Sequence, residues 1–368
     1  MAQDKTESEL DSIFEQVLAS SGKGRRSDPR LMPPYSGLRS VLVQFRERMD
    51  KWVKGVRAVH APRMYPVHIG YVENFDMNAF AFVREGYGFV GLYVGTLITI
   101  LSFFNNLLAH PDFFPSIGDP AAEESWSGLD SLRIDRVPKD AVRAAFAGLL
   151  SVLALDYFFT HEIGHLMHGH VDLANMRLGV PVFAEFDATR GRTLGNLTSQ
   201  TLEMDADTFA IGQGLATAFG RASNPAGVSP ERWRQWYQTP RAALATWSTA
   251  VYGLFRVLAD GEVPSDDLLS STHPAPHVRL FIAYTTATEY LKKHGPFELA
   301  PQLDGIFAEA VPSIEKGHAF LTSTQAEAHG ARAAFEQPSR AHLVELLKHW
   351  KTLRPELLPL VRGGNLAE

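Results

Sequence analysis

His161-Glu162-Ile163-Gly164-His165 reads His-Glu-x-x-His inside an apolar, helix-favouring run. On an α-helix, residues i and i+4 share a face, so both imidazoles can reach one ion. Glu162 lies beside that face and can hold a water bound to the ion. Two His ligands, one general base and an open position make the arrangement of a zinc hydrolase. The motif is short. With 14 His in 368 residues, a chance match is expected in roughly a few per cent of such chains.

A second segment strengthens the reading. Glu203-Met204-Asp205-Ala206-Asp207 begins 38 residues after His165. Glu203 and Asp207 are again four apart, beside an apolar stripe of Leu202, Ala206 and Phe209. A catalytic zinc needs a third protein ligand, and the Glu203 carboxylate is the candidate. Asp207, one turn on, can accept the outer N–H of a ligand His and fix its tautomer. Asp205 points to the other side and is expected to be solvated. Taken alone, the segment also fits an ordinary charged helix face.

Together these segments resemble the gluzincin metallopeptidases, specifically the HtpX-like and CAAX prenyl protease group. Two further matches support the resemblance. Asn78-Ala79-Phe80-Ala81 is similar to a strand upstream of the zinc helix in those enzymes, followed there by a helix start like Gly95-Thr96-Leu97. His273-Pro274, with Arg279 five residues after the Pro, resembles their His-Pro-x4-Arg segment. The motifs follow the family's order across about residues 66–290. The resemblance implies a zinc-dependent endopeptidase, with His161, His165 and Glu203 as ligands and Glu162 as base. It also places His273 and Arg279 near the site, where either could stabilise the oxyanion; His277 is an alternative. A looser similarity, resting on the zinc motif alone, is to Lit-type phage-exclusion proteases.

The chain departs from the HtpX-like pattern, whose catalytic helix lies among membrane-spanning helices. Between the two zinc motifs, Val171 to Asn196 carries Asp172, Arg177, Glu185, Asp187, Arg190 and Arg192 and cannot span a bilayer. Residues 105–138 form another polar insertion. The expectation is a soluble relative whose insertions could cover the cleft. Metzincins are excluded, because His168 stands where their Gly belongs and Val171 where their third His belongs. His168 nevertheless falls about 20° from His161 around the helix. It is either a rival third ligand, a group behind a ligand, or a helix cap before Gly169; His170 has the same alternatives.

Composition bounds the rest. Hydrophobic residues make up 45% and charged residues 21%, as in a globular protein with a real core. A net charge of −6 without a strong basic patch argues against nucleic acid, so the expected partner is a protein or peptide substrate. Cysteine is absent, which removes disulfides and thiolate ligands and fits a cytoplasmic setting. The polar N-terminus is not a signal peptide. Gly86 to Leu108 has no charge and is long enough to span a bilayer. Its recurring Gly and β-branched residues read better as a buried strand, Tyr87–Val94, and a helix from about Thr96.

The expected fold is α+β: a mostly helical, zincin-like metallopeptidase with a small β-sheet packed on the active-site helix. Residues 1–36 read as a short helix (7–19) and a linker, 37–294 as the peptidase domain, and 295–368 as a helical extension. Strands are expected at about 66–74, 78–85 and 87–94. Helices are expected at 37–60, Lys139–Gly169, Leu197–Phe219, from Ser229-Pro230-Glu231, at 239–260 and at 275–293. Breaks are expected at 295–296, 312 and 338. An edge strand above the zinc helix can bind substrate backbone by strand addition. Asn78 is the candidate for that contact, or else a turn residue at a strand end. The cofactor expected is Zn2+. The rival reading is a zinc-containing binding or regulatory protein with a closed site.

Overall fold

The computed structural model describes residues 5–33, 37–127, 136–178, 182–183, 194–224, 235–259, 268–324 and 329–368. The expected helix start at Ser229 lies outside them. Helices dominate and one small mixed sheet accompanies them, a mostly helical α+β fold.

The sheet is built from β1 (Arg25–Ser27), β2 (Val67–Glu73), β3 (Ala79–Arg84), β4 (Tyr87–Tyr93) and β5 (Val182–Phe183). Its order is β1-β2-β4-β3-β5. Only β2 and β4 run parallel; the other pairs are antiparallel. The glycines of β4 have a packing reason. A Cβ on Gly91 would lie 2.3 Å from the Phe80 ring, so the bare strand leaves room for an aromatic layer. Phe80, Phe82 and Phe89 form that layer. Helix α1 (Glu7–Ser21) closes it with Phe14, whose ring stacks on all three. Helix α1 begins at a Thr6–Glu9 capping box and ends at Gly22 in the left-handed region.

The other face of the sheet meets the main core. Ile69, Tyr71, Ala79, Ala81, Val90 and Leu92 join it. Helix α2 (Gly37–His60) lies against β2, and α3 (Val94–Leu108) follows β4 directly. The uncharged stretch after Gly86 is therefore a strand and a 15-residue helix, and α3 alone is short for a bilayer. Helix α4 (Ala141–Met167) runs through the centre, packed by α3, by α6 (Asn196–Ser223) and by α7 (Pro240–Leu258). Among the described residues α4 alone is long and apolar enough to cross a membrane, and most of it is buried inside the fold. A helix that is apolar all round belongs in a core of this kind.

Four elements depart from the sequence expectation: β1 forms inside the expected linker, β5 forms between the two motifs, and two helices differ. A separate helix α5 (His170–Leu178) begins right after Gly169, whose φ of 79° turns the chain. Polar residues hid it. Beyond α8 (Pro276–His294), helix α9 (Leu303–Thr322) runs straight through Pro312, where a break was expected. Short α10 (His329–Phe335) and α11 (Gln337–Leu357) complete the set, and α11 packs on α6 and α8.

Arg143, in the first turn of α4, organises the segment after α3. Its fully buried guanidinium donates to the carbonyls of Leu108, His110, Phe113, Phe114 and Ile117. Arg143→Met should cost about 3–5 kcal/mol, the range for stripping one partner from a buried charged network. The measurement is the urea midpoint at unchanged slope. A loss below about 1 kcal/mol, one ordinary hydrogen bond, would show that the segment does not depend on Arg143.

Candidate metal centre

Helices α4 and α6 approach closely because residue 164 is glycine. Even a Cβ there would meet the Ala206 backbone at 3.3 Å. This crossing brings the two sequence motifs together. His161 Nε2 lies 3.0 Å from Glu203 Oε2 and 3.0 Å from His165 Nε2, and His165 Nε2 lies 3.3 Å from Glu203 Oε1. All three residues are buried. Two imidazoles and a carboxylate converge on one point, a group that could hold a metal ion. Glu162 is buried beside them, 2% exposed.

Asp207 stands behind His161. Its Oδ1 lies 2.8 Å from His161 Nδ1, as the four-residue spacing from Glu203 suggested. Three more donors hold it in place. Tyr157, one turn before His161, donates its hydroxyl to Oδ1 at 2.8 Å. Arg279 clamps both oxygens, at 2.9 and 2.7 Å. Burial works against the Asp207 charge, but Arg279 and His161 outweigh it and hold the carboxyl well below the usual range.

The expectation that Arg279 meets an oxyanion is therefore corrected. Its guanidinium is committed to Asp207 and packs over Phe255, so it positions Asp207. His273 does reach the centre, with Nε2 3.9 Å from Glu203 Oε2. His277 lies in the first turn of α8 and is half-buried. Burial and His342 lower its pKa.

Asn78 also changes role. Its side-chain oxygen accepts the Ala79 N–H at 2.7 Å, and its backbone is locked to the Thr96 hydroxyl on both sides. It serves as a strand-end residue. Strand β3 is not a free edge either, because β5 pairs with it at Ala81 and Phe82. Asp205, expected in solvent, is fully buried. One of its oxygens takes both His168 Nδ1 and His170 Nε2. His168 caps α4 through its backbone and turns its ring to Asp205, so it is not the third ligand at Glu203.

Sequence reasoning missed several supports. Gln200, one turn before Glu203, donates to the carbonyls of Leu268 and Ser271 at 2.7 Å. It ties the segment carrying His273 to the ligand helix, and His342 of α11 bonds its other end. A polar residue three positions before a candidate ligand was the available signal, as was Tyr157 four before His161.

The donor set, two imidazoles and a carboxylate, could hold a metal ion. The two carboxylates beside His161 also set its charge. Burial opposes its charge, but Glu203 and Asp207 raise it to about 10. Burial and the His161 charge hold His165 neutral. In the metal-free protein a proton on His161 Nε2 thus faces Glu203 and His165, at the place of the cation.

Compared with known proteins, the chain matches no family model, no curated protein and no solved structure.

A raised pKa means that the proton stays on His161 below about pH 10 and must leave when a metal takes Nε2. Uptake of a divalent metal ion at pH 7.5 should release close to one proton, and apparent affinity should rise about tenfold per pH unit from about pH 7 to 9. Calorimetry in buffers of different ionisation enthalpy reads the count. Release of no proton would mean that His161 is already neutral.

Proposed function

We propose that this protein is a soluble zinc-dependent endopeptidase, zincin-like in its active-site architecture and related in motif order to the HtpX-like group. The observation that carries the reading is the convergence of His161, His165 and Glu203 on one point, with Glu162 on the same helix turn. His161, His165 and Glu203 would hold the ion. A zinc ion bound there supplies Lewis acidity, acidifying a water and polarising a carbonyl.

The remaining steps belong to the chain. Glu162 takes the proton of the attacking water and passes it to the leaving amine. His273, beside Glu203, donates to the tetrahedral oxyanion. Asp207, fixed by Tyr157 and Arg279, keeps the His161 Nε2 lone pair directed at the ion.

Two observations favour a site that is closed at rest. The three ligands and Glu162 are all buried, and β5 takes the edge of β3 at Ala81 and Phe82. A peptide that adds to the sheet there must first displace β5. The same observations support the second reading, a zinc-containing regulatory protein whose protease-like site stays shut.

Labelling new N-termini in a lysate treated with protein separates the two readings. Wild type should generate cleavage sites that Glu162→Gln lacks. Glu162→Gln should keep one zinc per chain and lose about 10²–10⁴ in rate. Equal cleavage by the variant would sink the role of Glu162. A zinc-loaded wild type that never cleaves would leave the regulatory reading.

A further inference from the structure

His161 is backed by the Asp207 carboxylate, and His165 is backed by an imidazole. Its outer nitrogen Nδ1 faces another imidazole, with His170 Nδ1 2.9 Å away. His170 turns its Nε2 to Asp205 Oδ2 at 3.0 Å. Asp205 Oδ1 accepts the Ala367 N–H at 2.7 Å. His165, His170 and Asp205 are all essentially inaccessible to solvent, so each polar atom needs a partner inside the protein.

Proton placement along this chain has one consistent solution. An ionised carboxylate only accepts, so His170 carries its hydrogen on Nε2. His170 Nδ1 is then a lone pair. His165 must donate to it, which puts the hydrogen of His165 on Nδ1 and leaves Nε2 bare. A bare Nε2 is what a metal ligand requires at this site.

We propose that His170 and Asp205 are positioning residues for the metal ligand His165: the carboxylate sets the tautomer of His170, and His170 sets that of His165. The proposal rests on His165 being a ligand but not on peptide hydrolysis. It also orders the three buried groups near Asp205. His168, His170 and Asp205 could themselves be read as a second metal site. A metal on His170 Nε2 would move the hydrogen of His170 to Nδ1, directly opposite the hydrogen on His165 Nδ1. Two neutral imidazoles 2.9 Å apart cannot both carry a proton between them, so His165 would lose its lone pair at the first site. As a hydrogen-bonded brace, the same groups satisfy every donor.

The segment 361–368 takes part. Besides the Ala367 amide on Asp205, the Ala367 carbonyl accepts from Trp350 Nε1 at 2.9 Å and Arg354 Nε at 3.2 Å. The Arg362 and Gly363 amides reach the carbonyl of Met167 at the end of α4. Asp205 is thereby pinned through the oxygen that His170 does not use.

Imidazole tautomers can be read directly. Long-range ¹H–¹⁵N spectra of the full-length, metal-free protein labelled at histidine should show His165 as the Nδ1–H form and His170 as the Nε2–H form. The reverse pattern overturns the proposal before any variant is made. His170→Phe removes the acceptor at similar size. It should lower zinc affinity about 10–100-fold in competition with a chromophoric chelator. His168→Phe, which also touches Asp205 but not His165, should change it less than about threefold. Asp205→Asn should shift the His165 signal toward the Nε2–H form. Affinity within threefold of wild type in a folded His170→Phe protein overturns the assignment, as does a second stoichiometric zinc that His168→Phe abolishes. If His170→Phe does not fold, the wild-type spectrum and Asp205→Asn still decide. None of these readings involves cleavage, so an inactive protein would not affect them.

Discussion

A carboxylate buried without water can only accept hydrogen bonds, and two such carboxylates on α6 govern the centre of this protein. Asp205 and Asp207 are two residues apart and fully buried. Each would be prohibitively costly alone in a low-dielectric interior. Each is offset by donors from elsewhere in the chain: Arg279, Tyr157 and His161 at Asp207; His168, His170 and the Ala367 amide at Asp205. The donors come from α4, α5, α8 and the last residues. The helices around α6 are thus held by polar as well as apolar contact, and the imidazoles are held in one orientation.

The periodicity of the sequence made the first layer of this site legible. His161 and His165, and Glu203 and Asp207, are each separated by four residues, which on a helix means one face. The strands at 67–73 and 79–93, and helices α4, α6, α7 and α8, followed from apolar runs and their caps within a few residues. A loop-like composition hid α5. Asp205 was placed in solvent because a charged residue off the ligand face is ordinarily exposed. Here α6 is enclosed on several sides, by α4, α7, α8 and α11, so no face of it is free near the site. That enclosure is a tertiary fact with no local signature. The same holds for Gln200, whose partners lie 68 and 71 residues away.

Pro312 illustrates the opposite error. Its ring forbids one hydrogen bond and disfavours the preceding helical turn, so a break was the local expectation. Helix α9 nevertheless continues, with Ile306, Phe307, Ala310 and Ile314 buried on either side. Burial of that apolar face against α7, about 1.5–3 kcal/mol per large side chain, exceeds the local penalty. Packing overruled a propensity here, whereas at Asp205 packing overruled a solubility rule.

The bond between the Ala367 amide and Asp205 carries a consequence for the order of assembly. A chain made from its N-terminus folds as it emerges, at about 5–20 residues per second. His161, His165 and Glu203 are all synthesised well before residue 367. Until that residue arrives, Asp205 lacks one of its donors. The nascent protein therefore spends roughly ten seconds or more with His161, His165 and Glu203 made but the Ala367 bond to Asp205 unformed. The surroundings of Asp205 are thus complete only once residue 367 has joined the fold.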